Sequence, residues 1–317
     1  MSAASNPSCA ESGHDRNGMA GDRQAVLAVL VLYQVEASSS PALMSFMQAL
    51  GETGLASRFR LLIYDNSPSR SSVPDAMPLP SSYIHDPANG GLTAAYDAAL
   101  RLAEKEGHEW LLLLDQDAVI NASYLKELGR RLFELAGNRQ CAVLAPRLLA
   151  ENEIISPARV LWGGRLLPVD KTLSGIAPWE IVALNSGALL RVAAVRELGG
   201  FNPEFWLDYL DHWIFNRLHH AGYLVYVMDA ELQHALSVRN MAEMPTARYE
   251  NILLAEGRFY QCCKSPFENL IYGLRLLVRG FRMLVLPGRR RFFRPVLAHL
   301  ARHLRLKRPA LAKRSEK

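Results

Sequence analysis

Cysteine is scarce in this chain, and its placement forms no pattern. The four cysteines, Cys9, Cys141, Cys262 and Cys263, have no metal-ligand spacing, and the adjacent pair suits neither zinc nor an ordinary disulfide. This excludes a disulfide-stapled or zinc-ribbon architecture and reads as a reduced chain. No apolar run approaches the roughly 20 residues that span a bilayer. The opening MSAASNPSCAESGHDRNGMAGDR has neither a basic segment nor an apolar one after it, so no signal peptide is expected, and residues 1–24 read as a disordered lead-in. Internal repeats and low-complexity linkers are also missing, which excludes a repeat architecture.

What the chain has is apolar content and an uneven charge. Half of its 317 residues are hydrophobic, enough for one large core or two modest ones. From Lys264 onward, 15 Lys and Arg face two acids, while the whole chain carries only +5. An acidic globular part therefore precedes a strongly basic tail. Buried-strand patterns at 25–33, 58–67, 83–86, 110–117 and 141–146 alternate with helical patterns opening near Ser38, Asn89 and Asn121. That alternation predicts an α/β fold with a doubly wound, mostly parallel sheet. Residues 147–190 break into short apolar pieces around Trp162-Gly163-Gly164, which suggests antiparallel strands and an active-site loop. A late strand ends at His234, and helices are expected at about 246–263, 266–286 and 292–306. The reading is one catalytic domain over 25–263 and a basic, amphipathic helical extension over 264–317.

Several strand and helix ends carry chemistry. EWLLLLDQDAVI drives a strand apolar on both faces into Asp115 and Asp117, at the carboxyl end where open α/β sheets place ligands. Mg²⁺ or Mn²⁺ shared with a diphosphate needs one or two such carboxylates, and the intervening Gln116 is expected to turn away; capping of the next helix is the plainer alternative. LLIYDNSPS ends a second strand on Asp65, suited to a nucleobase or ribose or to an Asx-turn that starts the loop. NGGLTAAY places Asn89, Gly90 and Gly91 before a helix whose free N–H groups favour phosphate or ribose oxygens; a simple glycine turn fits equally. In FNPEFWLDYLDHW, Asp208 and Asp211 share one face at a helix start, where the dipole favours their ionised forms beside aromatic residues. This suits a general base and also suits ordinary capping.

Taken in order, these segments resemble family-2 inverting glycosyltransferases of the GT-A fold, above all the branch that transfers rhamnose in bacterial polysaccharide and lipopolysaccharide assembly. The resemblance runs from about Ala25 to His234. It implies that Tyr33, Asp65, Asn89, Gly90, Gly91 and Asp115 contact the nucleotide of the donor, and that Asp115, Asp117 and His234 hold Mg²⁺ or Mn²⁺. It makes Asp211 the catalytic base, with Trp162, Gly163 and Asp208 positioning acceptor or sugar. Leu210 and Trp213 stand where many members carry acids, and Gln34 replaces an asparagine. The activity so implied is transfer of L-rhamnose from dTDP-β-L-rhamnose to a hydroxyl of a glycan or lipid-linked acceptor, giving an α-L-rhamnoside. The enzyme would be cytoplasmic and peripherally bound at the inner face of the cytoplasmic membrane.

Two other readings remain. LLLLDQDAV also resembles the start of a haloacid-dehalogenase-type phosphatase, but that motif opens its fold, whereas three strands precede it here. A non-catalytic nucleotide-sugar-binding protein or assembly scaffold is the alternative of a different class. The tail mixes Leu, Phe and Val with Arg at helical spacing, which predicts binding to an anionic membrane surface. Nucleic acid is not expected, because the acidic part offers no continuous basic track.

Overall fold

The computed structural model describes residues 26–74, 76–234, 244–286 and 288–305. The expected lead-in over 1–24 lies outside them, as does the end of the tail from 306.

The first half is the alternating pattern expected from the sequence. Strand β1 (Val26–Leu32) pairs in parallel with β2 (Phe59–Asp65) and β4 (Trp110–Asp115), and β2 pairs in parallel with β3 (Ser81–His85). Every residue of β1 is buried, because the two faces of the strand feed two cores. Leu27, Val29 and Val31 face α2 (Gly91–Glu106), whereas Val26, Ala28, Leu30 and Leu32 face α1 (Pro41–Thr53) and α3 (Ala122–Glu134). Ser40 caps α1 with Pro41 at its first position, and Asn121 caps α3 by accepting the Tyr124 N–H at 2.8 Å.

The second half departs from simple alternation. After the two-residue β5 (Ala118–Val119), β6 (Cys141–Ala150) runs beyond the expected end at 146. It turns at Glu151 and Asn152, both in the left-handed region, into β7 (Glu153–Ser156). A small antiparallel sheet follows from β8 (Ala158–Leu161), β9 (Arg165–Pro168) and β11 (Ile181–Val182), with β10 (Gly175–Ile176) on the edge of the main sheet. Then β12 (Leu189–Arg191) wedges antiparallel between β4 and β6. Helices α4 (Val192–Glu197) and α5 (Leu210–His220) lead to β13 (Leu224–His234), parallel to β6. The main path runs β10-β13-β6-β12-β4-β1-β2-β3.

Three helices follow: α6 (Thr246–Cys263), α7 (Pro266–Val285) and α8 (Phe293–Arg305). Tyr260, Tyr272, Leu276 and Val296 join the core that also holds α2 and α5. The buried Glu256 of α6 takes two hydrogen bonds from Arg279 of α7, at 2.6 and 2.8 Å. No helix among the described residues is long and apolar enough to cross a membrane.

Candidate active site

Register explains how distant residues meet at the end of β4. Leu189 pairs with Leu112 in the antiparallel β12–β4 ladder. Two further bonds, Gly187 N–H to the Leu113 carbonyl (2.8 Å) and Leu113 N–H to the Ala188 carbonyl (3.0 Å), carry the pairing on. Ser186 is thereby set opposite Asp115, and its hydroxyl makes a short hydrogen bond to that carboxylate. On the other side β13 pairs with β5, His234 opposite Ala118, which brings the ring beside the Asp115–Asp117 turn. The Ser186 hydroxyl lies 2.8 Å from His234 Nε2, and His234 Nε2 is 3.9 Å from Asp115. Gly187 takes the left-handed conformation, and a Cβ there would strike Leu232, so glycine is required between Ser186 and β12.

These groups line a cleft of about 460 Å³, within the range of small-ligand sites. Tyr33, Asn89, Gly91, Asp115, Asp117, Asp208, Asp211 and His234 all line it. Its other rim is the start of α5. Tyr209 precedes that helix with φ 63°, an uncommon conformation for a non-glycine residue. Asp211, in the first turn, accepts the N–H of its neighbour His212 at 2.7 Å. Asp208 is held by two hydrogen bonds from the Arg248 guanidinium on α6, one of them 2.7 Å long. Gly91 is also in the left-handed region, and a Cβ there would collide with the Trp206 carbonyl and ring. This glycine lets α2 dock on the 205–206 segment, where Thr93 bonds the Phe205 and Trp206 carbonyls.

The electrostatics differ around the cleft. Burial raises the Asp117 carboxyl above its ordinary range, and the nearby Asp115 charge adds to this, while His234 opposes it. Burial disfavours the His234 cation, yet the approach to Asp115 and the charges of Asp117 and Asp115 outweigh it, and its pKa is raised. Burial also raises Asp208, with Arg248 pulling the other way. The buried Tyr96 hydroxyl, pushed well up by burial, feels both Asp115 and Asp211.

Some expected site residues are placed elsewhere. Asp65 is fully buried, and its oxygens accept from Ser67 N–H, Ser71 N–H and the Tyr83 hydroxyl, so it organises the 66–72 loop in Asx-turn fashion. Its neighbour Asn66 lines the cleft instead. The N–H groups of Gly90 and Thr93 are not free as expected: they are taken by the Asp86 carboxylate (2.9 Å) and the Trp206 carbonyl (3.3 Å). Gln116 does not turn away. It lines the cleft and accepts the Tyr33 N–H at 2.8 Å, tying β1 to β4. Trp162 and Gly163 lie outside the cleft: Trp162 packs on Phe267, and the Gly163 carbonyl accepts from Arg275 of α7. Missed by the sequence reading were Asn66, Asn185, Ser186 and Arg248, whereas Trp206 and Tyr209, expected as aromatic walls of the cleft, do line it. The Asn-Ser-Gly run before β12 was the available signal for two of them; nothing local marks Arg248.

A divalent cation fits the strand-end corner. Among the described residues His234 Nδ1 is buried without a partner, and the Asp117 carboxylate takes no hydrogen bond from another side chain. Asn66 and Asn185 also line the cleft, and the Oδ1 of each is buried and unpartnered among the described residues. Among the described residues no cluster of three or more acids, histidines or cysteines holds a metal alone. A hard cation that takes part of its oxygen shell from a diphosphate needs only one or two protein carboxylates.

No protein-family model matches the chain, and no curated protein matches it in sequence. Solved structures do match. The mannosyltransferase PcManGT from Pyrobaculum calidifontis, in complex with GDP-Man and Mn²⁺, is 14% identical over 89% of this chain and 86% of that one, with a TM-score of 0.54. S. aureus TarS 1-349, in complex with UDP-GlcNAc, is 15% identical over 88% of this chain and 81% of that one, with a TM-score of 0.52. A curled, mostly parallel sheet between helices, matching these glycosyltransferases along nearly its whole length, gives this chain the GT-A fold.

Proposed function

We propose that the chain is an inverting glycosyltransferase that moves a sugar from a nucleotide diphosphate to an acceptor hydroxyl. The carrying observation is a single cleft that gathers Asp115, Asp117 and His234 at a strand end with Asp211 at a helix start. Asp117 and His234 would hold Mg²⁺ or Mn²⁺, which when bound supplies neutralisation of charge on the leaving diphosphate. Asp115, fixed by Ser186, stands nearer the ribose. Asn66, Asn89, Gln116 and Tyr33 border the space for the nucleoside. Asp211 takes the proton of the acceptor hydroxyl as its oxygen attacks the anomeric carbon opposite the diphosphate. One displacement inverts that carbon, so no covalent nucleophile is required.

The donor we favour is dTDP-β-L-rhamnose, on the sequence resemblance, with a glycan or glycolipid of the bacterial cell surface as acceptor. An anionic membrane surface on the cytoplasmic side is the proposed setting. Leu274, Leu277, Val278 and Phe281 of α7 are each more than half exposed, and residues 269–305 contain nine arginines and no acid. Salt-sensitive binding of the whole chain to anionic liposomes checks that part.

The test of the activity is nucleotide release from a panel of dTDP-rhamnose, UDP-sugars and GDP-sugars, with and without chelator. Asp117→Asn should lose most turnover and most metal-dependent donor binding while keeping the fold. Full activity in excess chelator would remove the metal from the mechanism, and silence with every donor would favour a binding protein.

A further inference from the structure

A second cavity, of about 330 Å³, lies between α6, α8 and the 203–208 segment. Trp206 and Asp208 line both this cavity and the cleft, so the two share a wall. Asn251, Arg258 and Gln261 line it from one side of α6, at spacings that keep them on one helix face, and Arg302 lines it from α8. The side chains of Asn251, Gln261 and Arg302 make no hydrogen bond or ion pair among the described residues. Arg258 makes a long ion pair with Glu204, at 3.8 Å, with both side chains about half exposed. By contrast, His299 and His303, further in, are already bonded, to the Tyr272 hydroxyl and the Asn269 carbonyl.

Two uncommitted amides and a guanidinium thus converge on a concave space whose shared wall carries the half-exposed indole of Trp206. Amide side chains both donate and accept, which suits hydroxyl groups. An indole face suits the C–H face of a sugar ring. The position decides which sugar. On the glycosyltransferase reading, on which this inference rests, the donor diphosphate lies toward Asp117 and His234. The acceptor hydroxyl must reach Asp211, which lines the cleft together with Asp208. The rest of the acceptor then leaves the cleft past Asp208 and Trp206, into this cavity. We propose that the cavity between α6 and α8 is an acceptor subsite that binds the sugar unit next to the one being glycosylated, so that the enzyme prefers an acceptor of at least two linked sugars.

The experiment uses the full-length chain, the donor that the panel selects, and p-nitrophenyl disaccharides beside the matching p-nitrophenyl monosaccharides. Wild type should show a KM about tenfold lower for the best disaccharide, the worth of one or two hydrogen bonds to the extra unit. Asn251→Ala with Gln261→Ala should erase that advantage while leaving the monosaccharide KM and the slow release of nucleotide to water unchanged. Arg302→Ala, on the exposed side of α8, repeats the measurement should the double variant fold poorly. A disaccharide advantage that survives these changes, or none in wild type, overturns the subsite. Absence of nucleotide release from every donor overturns the glycosyltransferase reading itself, and the subsite falls with it.

Discussion

At the end of β4 two aspartates stand two residues apart, and at the start of α5 two stand three apart. In each pair one carboxylate takes a hydrogen bond from another side chain, and the other takes none among the described residues. Asp115 is bound by the Ser186 hydroxyl and lies 3.5 Å from the Tyr96 hydroxyl, both neutral groups, with the titratable His234 ring at 3.9 Å. Asp208 is bound by a guanidinium, so its charge is cancelled and Asp211 is left with little besides the helix terminus. The strand rim therefore sets two carboxylates against one titratable ring, His234, whereas the helix rim sets two against the permanent cation of Arg248. A rim built this way calls for a cation brought by the ligand, whereas the other suits a single carboxylate exchanging a proton.

The sharpest way to break this comparison is to neutralise the free member at the helix rim. Asp211→Asn should bind donor nearly normally yet transfer sugar roughly 10²–10⁴-fold more slowly, the usual worth of a positioned base. Asp208→Asn should cost far less. An inactive Asp208→Asn beside a normal Asp211→Asn would exchange the roles of the two residues.

A smaller effect is expected from the group that ties down the strand rim. Ser186 touches both Asp115 and His234, so Ser186→Ala frees a carboxylate and a ring at once. Loss of such an orienting partner should weaken metal affinity by about 10–100-fold, read by titration of Mn²⁺ against donor binding. Restoration by Ser186→Thr would show that the hydroxyl, and not the packing around it, is what matters. Unchanged Mn²⁺ affinity in Ser186→Ala would mean that Asp115 needs no such anchor.

How far each rim was legible in the sequence follows from how locally it is built. The strand rim announces itself: four leucines before Asp115 leave no room for another reading of β4, and the carboxylates stand where such a strand must end. The helix rim is nearly as plain, because Asp208 and Asp211 stand beside aromatic residues at a helix start, although the shared helix face expected of them is not formed: Asp208 lies before α5, with the left-handed Tyr209 between the two. Their partners were not legible. Ser186 reaches Asp115 only because a three-residue antiparallel strand enters an otherwise parallel run, and short apolar pieces between 147 and 190 do not declare which of them will do so. Asp65 shows the converse: a strand-end acid is informative about position, but nothing in YDNSPS says that Ser67, Ser71 and Tyr83 will use up its oxygens. Arg248 acts over 40 residues, from a helix that the sequence offered only as one more helix.

That last contact gives the smallest prediction and the most discriminating one for the charge argument. Arg248→Met removes the cation but keeps much of the side-chain volume that lines the cleft. At neutral pH it leaves Asp208, already raised by burial, as an unpaired and mostly buried anion. The pair is neither fully exposed nor fully buried, so the cost should fall between the surface and buried limits, on the order of 1–3 kcal/mol. The sign with pH follows. Loss of Arg248 raises the folded-state pKa of Asp208 further above its unfolded value, so the folded variant binds a proton more readily than the unfolded chain. Its stability deficit against wild type should be largest at neutral pH and shrink as pH falls through the carboxylate range, where Asp208 becomes neutral. Melting temperatures of the two proteins measured between pH 7 and pH 4.5 report this directly. A deficit that stays constant over the range would mean that Arg248 contributes packing alone, and that Asp208 and Asp115 are tied down in the same uncharged way.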